Sequence, residues 1–194
     1  SHHEVMERIE DTKKSLEKFP ATVRVAANRK ESEKYWAIRR ESFNLLRHKV
    51  RGKHTAPFVD DIIVRPEFLP EFLPKLYTIL DRYQLLYTIA GHVGNGNFHI
   101  IPLMDLRQKS EREKIPRVSK EVYKLVLHYG GSLSAEHNDG LIRGPYLQQM
   151  YGRKVFAMFV QVKKIFDPQG IFNPRKKTGA NLRYAMAHIR KDEP

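Results

Sequence analysis

The segment Gly91-His92-Val93-Gly94-Asn95-Gly96-Asn97-Phe98-His99 constrains the fold more than any other stretch of the chain. An Asn-Gly pair is the strongest short signal for a two-residue hairpin turn, because both central positions need positive φ. With Asn95 and Gly96 as the turn, Gly94 faces Asn97, Val93 faces Phe98 and His92 faces His99. Directly opposed residues hold their Cβ atoms about 4.5–5.5 Å apart on one face. Val93 and Phe98 then point the other way, into the core. The two imidazoles are left able to share one metal ion at roughly 2.0–2.1 Å per nitrogen. Spacing alone equally allows two histidines satisfied by ordinary hydrogen bonds.

At 194 residues the chain fits one domain with a real core. Its 41% hydrophobic and 29% charged residues give a globular balance rather than a disordered one. No apolar run approaches the roughly 18 residues that span a bilayer. No secretory signal opens the chain, so the expected location is cytoplasmic, with a membrane-peripheral position as the alternative. Ser1-His2-His3 matches the scar of an expression tag and is given no function, leaving 4–194 as the domain. The absence of cysteine excludes disulfides, thiolate zinc sites and iron–sulfur ligation within this chain. The net charge of +13 first points to nucleic acid or an anionic surface. However, the cations are interspersed with acids, as in Glu31-Ser32-Glu33-Lys34, and no aromatic-studded basic stripe accompanies them. A solvated surface, with a patch that meets an anionic cofactor or partner, accounts for the charge better than nucleic acid.

Apolar spacing predicts helices over 4–18, 30–49, 66–83, 111–129 and 145–166, the last ending at Asp167-Pro168. Val5, Ile9 and Leu16 carry the first; Trp36, Ile38, Phe43, Leu45 and Leu46 carry the second. Strands are expected over 21–26, 58–64, 85–93 and 97–103, with 132–135 too short to assign. This order predicts an α+β fold, an antiparallel sheet with helices on one face and a ferredoxin-like core. A helix stands where such a core begins with a strand. The sheet is therefore expected to lack its first strand or borrow one, and an uncovered edge favours a homodimer.

Glu136, in Ser134-Ala135-Glu136-His137-Asn138-Asp139-Gly140, is the candidate third metal ligand beside His92 and His99. Two imidazoles and a carboxylate leave coordination positions open for water or substrate. Adjacent strand residues face opposite sides, so Glu136 can take the metal while His137 meets the substrate. Plainer readings stand beside these: Glu136 as an ion-paired surface acid, His137 as a loop histidine, Arg39 and Arg143 as surface cations. Asn97 likewise reads as a residue that holds the hairpin.

Three motifs occur in order: Gly91 to His99 as quoted, Ser134-Ala135-Glu136-His137, and Phe166-Asp167-Pro168-Gln169-Gly170-Ile171-Phe172-Asn173-Pro174. Together they resemble the C-terminal domain of FAD-linked oxidases and dehydrogenases acting on D-2-hydroxy acids. That group includes D-lactate dehydrogenases, the glycolate oxidase FAD subunit and D-2-hydroxyglutarate dehydrogenase. Trp36-Ala37-Ile38-Arg39 and Phe58-Val59-Asp60-Asp61 extend the resemblance over most of the chain.

The resemblance implies His92, His99 and Glu136 as ligands of a divalent metal (zinc, manganese or iron) and His137 as the catalytic base. It implies Arg39 as the contact to the substrate carboxylate, with Asn97 and Arg143 as further substrate-binding candidates. FAD is the implied cofactor, and a FAD-binding domain the implied partner, upstream in the same gene or on a separate subunit. No glycine loop of the kind that cradles phosphates before a helix occurs here, so the chain reads as the substrate-side domain. Non-catalytic metal-binding and docking-subunit readings stay open at this point. The chain departs from the pattern at Asn95, where Asp is usual, and at Arg175, where Gly follows Asn-Pro. Asn138-Asp139-Gly140 replaces the commoner Gly-Ile-Gly, a variant of large members that also carry iron–sulfur domains.

Overall fold

In the computed structural model the site is organised by one strand, whose two edges recruit everything else. Residues 1–50 and 52–191 are described, those at 42–49 by their backbone alone. The chain divides into two compact units, residues 1–51 and 52–194.

The first unit holds helices α1 (His2–Leu16) and α2 (Arg29–Lys49). Ser1 caps α1 in a capping box with Glu4, satisfying amide groups that the first helical turn leaves unpaired. None of the α1 side chains is buried. Trp36 and Ile38 on α2 are more than half exposed. Phe43, Leu45 and Leu46, expected to pack from the same helix, have side chains outside the described residues. The segment 21–26, expected as a strand, pairs with no strand among the described residues. Alternation prepares a strand, but the ladder requires a partner whose edge is free.

The second unit is a mixed α+β fold around a four-stranded antiparallel sheet. Its elements are β1 (His54–Thr55), β2 (Ile62–Ile63), α3 (Leu69–Arg82), β3 (Leu86–His92), β4 (Asn97–Met104), α4 (Lys109–His128), α5 (Gly140–Arg143), α6 (Leu147–Phe166) and α7 (Leu182–Ala187). β3 pairs with β4 along its length, from Leu86 opposite Leu103 to His92 opposite Asn97. β1 and β2 share the other edge of β4 at its two ends. Leu69, Phe72, Leu76, Ile79 and Leu80 of α3 recur at helical spacing, as do Ile115, Val118, Val122 and Val126 of α4. They bury Phe98, Ile100 and Met104 of β4 between them in one core cluster. Tyr123, fully buried there, donates its hydroxyl to the Phe58 carbonyl at 2.7 Å.

The strand expected over 58–64 forms a ladder only at Ile62–Ile63, because Asp61 takes φ +68° and turns the chain out of extension. The hairpin connection also differs from expectation. Val93–Asn95 form a 3-10 turn closed by Gly96 in the left-handed region, a four-residue loop in place of two. Gly96 donates to the Val93 carbonyl and accepts from the Val64 amide at 3.0 Å. A Cβ at Gly96 would stand 1.7 Å from the Val64 carbonyl oxygen, so the loop seats against β2 only with glycine there. This docking moves the register by two residues, which keeps each side chain on its face: His92 lies opposite Asn97, and His99 opposite Ala90. Val93, expected in the core, is exposed in the turn, while Phe98 is buried as expected. No helix among the described residues is long and apolar enough to cross a membrane.

Candidate metal centre and active site

The register places His92 and His99 diagonally on one face of the hairpin, with ring centroids 5.9 Å apart. Pairing partners and residues two apart along a strand share a face, so the shift left both imidazoles together. The third member arrives from the other edge of β2. Ile63 and Ser132 exchange backbone hydrogen bonds at 3.0 and 2.9 Å, a single bridge that draws the loop after α4 onto the sheet. Four residues on, Glu136 reaches the hairpin.

Glu136 Oε1 lies 3.0 Å from His99 Nε2, 3.3 Å from His92 Nε2 and 3.5 Å from His137 Nε2. Three ring nitrogens therefore converge on one carboxylate oxygen. Among the described residues, ligand atoms of Asp61, His99, Glu136 and His137 also lie within 4.8 Å of one another. His99 is the best held of the imidazoles. Its Nδ1 meets Asp60 Oδ1 at 2.9 Å, and its side chain is 13% exposed. With the proton on Nδ1, Nε2 presents a lone pair to the centre, the usual carboxylate–imidazole support of a metal ligand. His92, Glu136 and His137 remain about half exposed, open to solvent on one side.

Asp61 is fully buried and holds the loop that carries Glu136 and His137. It accepts the amide hydrogens of Ala135 at 2.9 Å, Glu136 at 3.1 Å and His137 at 2.8 Å, with the Ser134 hydroxyl at 3.1 Å. Asn97 Nδ2 adds a fifth donor at 3.2 Å. Burial pushes the Asp61 carboxyl up; the amides of His137, Glu136 and Ala135 and the Ser134 hydroxyl outweigh it, holding the group below the usual carboxylate range. So many donors leave Asp61 oriented toward the backbone, not toward an ion. The ligand set that fits a divalent metal is thus imidazole nitrogen plus the Glu136 carboxylate.

Asn97 and Arg143, expected at the substrate, are both buried. Arg143 donates to the Asp60 carbonyl at 2.6 Å and to the Asn138 carbonyl, and stands 4.0 Å from Asp61 Oδ2. Each of the two keeps one buried polar atom without a protein partner, Asn97 Oδ1 and Arg143 Nε. Arg39 lies in the other unit, on α2, its guanidinium 6.0 Å from the Trp36 ring centroid. Asp60 and Asp61 had no assigned role in the sequence. Their signal was two acids inside an otherwise apolar stretch, Phe58 to Val64, where buried charge demands partners. Lys177 was also missed: its ammonium meets Asn138 Oδ1 and Asp139 Oδ2, pinning the turn that follows His137.

Three imidazole nitrogens gathered on one carboxylate oxygen beside a buried carboxylate have the make-up of a candidate metal site. The family described as FAD linked oxidases, C-terminal domain, matches residues 1–177, and the chain belongs to that family. Among its relatives, D-2-hydroxyglutarate dehydrogenase of Haemophilus influenzae is 32% identical over 144 residues, 74% of this chain and 14% of the relative. The glycolate oxidase subunit GlcD of Bacillus subtilis is 27% identical over 162 residues, 84% of this chain and 34% of that subunit. The mitochondrial D-lactate dehydrogenase [cytochrome] of Arabidopsis thaliana is 29% identical over 141 residues, 73% of this chain and 24% of the relative. The matched segment thus spans between one seventh and about one third of these relatives.

Proposed function

We propose that this chain is the substrate-side domain of a flavin-dependent dehydrogenase that oxidises a D-2-hydroxy acid to the 2-oxo acid. The relatives named for D-2-hydroxyglutarate, D-lactate and glycolate chemistry support this substrate class. The observation that carries the site assignment is the convergence of three Nε2 atoms on Glu136 Oε1. His92, His99 and Glu136 would hold a divalent zinc, manganese or iron ion. A bound metal supplies the Lewis acid that polarises the substrate hydroxyl, and FAD, held by a separate FAD-binding domain, supplies the hydride acceptor.

His137 accepts the hydroxyl proton at its ring. The Asp61 bond to its amide fixes the backbone, while the half-exposed imidazole stays accessible to a small acid. Imidazole is the side chain most often used as a general base. Asn97 and Arg143 brace the loop from beneath. Arg39 keeps the role that the family resemblance implies, a two-pronged hold on the substrate carboxylate that Lys would not reproduce.

The test is stopped-flow flavin reduction by D-2-hydroxyglutarate, D-lactate and glycolate in the full-length protein. His137→Asn should slow reduction by roughly 10²–10⁴-fold while retaining FAD and metal. Undiminished reduction in that variant removes His137 as the base. No reduction by any 2-hydroxy acid in the wild type removes the substrate class.

A further inference from the structure

The second half of α6 carries an apolar stripe that the fold leaves uncovered. Val155, Met158, Val162, Ile165 and Phe166 fall within about 100° of helix surface at the helical repeat of roughly 3.6 residues. Ile171 and Phe172 continue the stripe in the loop after the helix, and these seven side chains are 40–78% exposed. The loop is not loose. Asp167 accepts the amides of Ile171 at 2.8 Å and Phe172 at 3.0 Å, so it presents both residues outward on a fixed frame. Contiguous apolar surface on this scale marks an interface. The flanks are cationic: residues 141–191 hold eleven Lys and Arg against one acid, Asp167, which is buried against Lys163.

The stripe adjoins the proposed active site. Val162, Phe166 and Phe172 line a cleft of about 560 Å³ that also includes Asp139 and Lys177. Asp139 lies two residues after His137, and Lys177 pins that turn. Hydride transfer requires reacting atoms about 3–3.5 Å apart, so the body that carries the flavin must cover this domain next to His137. The relatives supply ample chain for such a body, since the match takes up only 14–34% of them.

We infer that the α6 stripe and the Ile171–Phe172 loop form the docking face for the flavin-bearing part of the protein. Its complementary surface is apolar at the centre, with carboxylates at the rim facing Lys154, Lys164 and Lys176. The inference rests on the proposed function for the reason that a flavin must approach. Its physical content, an apolar face with a cationic rim, is independent of the substrate.

The experiment uses the full-length protein, as an equal mixture of ¹⁴N- and ¹⁵N-labelled copies, with zero-length carbodiimide cross-linking and hydrogen exchange. Expected are cross-links within one copy, from Lys154, Lys164 or Lys176 to carboxylates of the flavin-bearing part, and slow exchange over 155–172. Val162→Glu combined with Phe166→Glu should abolish those links and slow flavin reduction by roughly tenfold or more, with bound metal retained. Tyr77→Glu, an exposed position on α3, is the control that should change neither. Links between differently labelled copies would assign the face to a dimer and overturn the inference. Protection of 155–172 that depends on phosphatidylserine-containing vesicles would assign it to a membrane, with the same result. Fast exchange over 155–172 in the intact protein overturns it outright. Cross-links as expected in a protein that no 2-hydroxy acid reduces would leave the docking face standing and remove the proposed substrate instead.

Discussion

The amide of His137 donates to the carboxylate of Asp61 at 2.8 Å, joining residues 76 apart in the chain. This bond is one of five from the Ser134–His137 loop and Asn97 to a single buried acid. The loop has no regular secondary structure of its own beyond the Ser132 bridge, so its shape depends on that anion. A neutral isostere cannot accept the same set of donors. Asp61→Asn should therefore destabilise the second unit by about 1–3 kcal/mol, the usual cost of leaving buried groups unsatisfied. It should also weaken metal binding, since Glu136 would lose its placement. Urea unfolding and a metal titration on the same variant check both effects.

The same carboxyl gives the protein an acid-sensitive element. Folding holds it below its ordinary value, so its stabilisation is complete above the unfolded-state pKa of about 3.9. As pH falls through the lower folded-state value, the proton is bound in both states and the contribution disappears. Thermal midpoints measured from pH 7 down to pH 3 should fall for the wild type. The fall should be shallower for Asp61→Asn, which has no carboxyl to protonate at this position. Parallel curves for the two proteins would show that the acid limb arises elsewhere.

Asp60 makes a separable prediction, because it supports one proposed ligand, His99, and not the loop. Its Oδ1 meets His99 Nδ1 at 2.9 Å. Removing such a support lowers metal affinity by about 10–100-fold in comparable sites. Asp60→Asn should lower affinity by this order in calorimetric titration with Mn²⁺ or Zn²⁺. His99→Ala should cost more than His92→Ala, since His99 is the imidazole held at both nitrogens. Equal loss in the two variants would count against that ranking.

The contrast between these acids explains what the sequence made legible. Helices α3 and α4 were readable because each buries one face at a steady repeat, and that periodicity is local. The hairpin was readable from its Asn-Gly pair, but its register was not. A non-local contact, Gly96 against Val64, converts the turn and moves every pairing by two residues. The imidazoles survived this change because a diagonal pair still shares a face. Asp61 was unreadable as a hub because three of its five donors are backbone amides, which have no signature in the sequence. Glu136 and His137 emerged from motif likeness, whereas their convergence with the hairpin comes from the Ile63–Ser132 bridge, a contact between distant residues.

Lys177 and Asp139 form the second support of the His137 turn, from the side opposite Asp61 in sequence. The lysine also reaches Asn138, whose φ of +66° places the chain in a region that needs holding. Lys177→Met should speed amide exchange over 138–143 while leaving α3 and α4 unchanged. Asp139→Asn should do the same, and the double variant should show less than the sum of the two. Additive effects would mean that the two side chains act independently.

Gly96 offers the sharpest stability test, because a neighbour in the same loop supplies the control. Gly96 has φ +73°, and an added methyl carbon would meet the Val64 carbonyl oxygen at 1.7 Å. Gly94 lies two residues earlier with nothing within 4 Å of its ideal Cβ position. Gly94→Ala should be close to neutral, or stabilising by a few tenths of a kcal/mol through a stiffer unfolded chain. Gly96→Ala should cost more than about 1–3 kcal/mol, because backbone strain is added to a clash with β2. The damage should also reach the proposed metal site: moving the turn off Val64 releases the register that aligns His92 with Asn97. Chemical denaturation and Mn²⁺ titration of both variants separate these effects. Equal stability of the two alanine variants would show that the turn relaxes without its contact to β2, and that the hairpin register is set elsewhere.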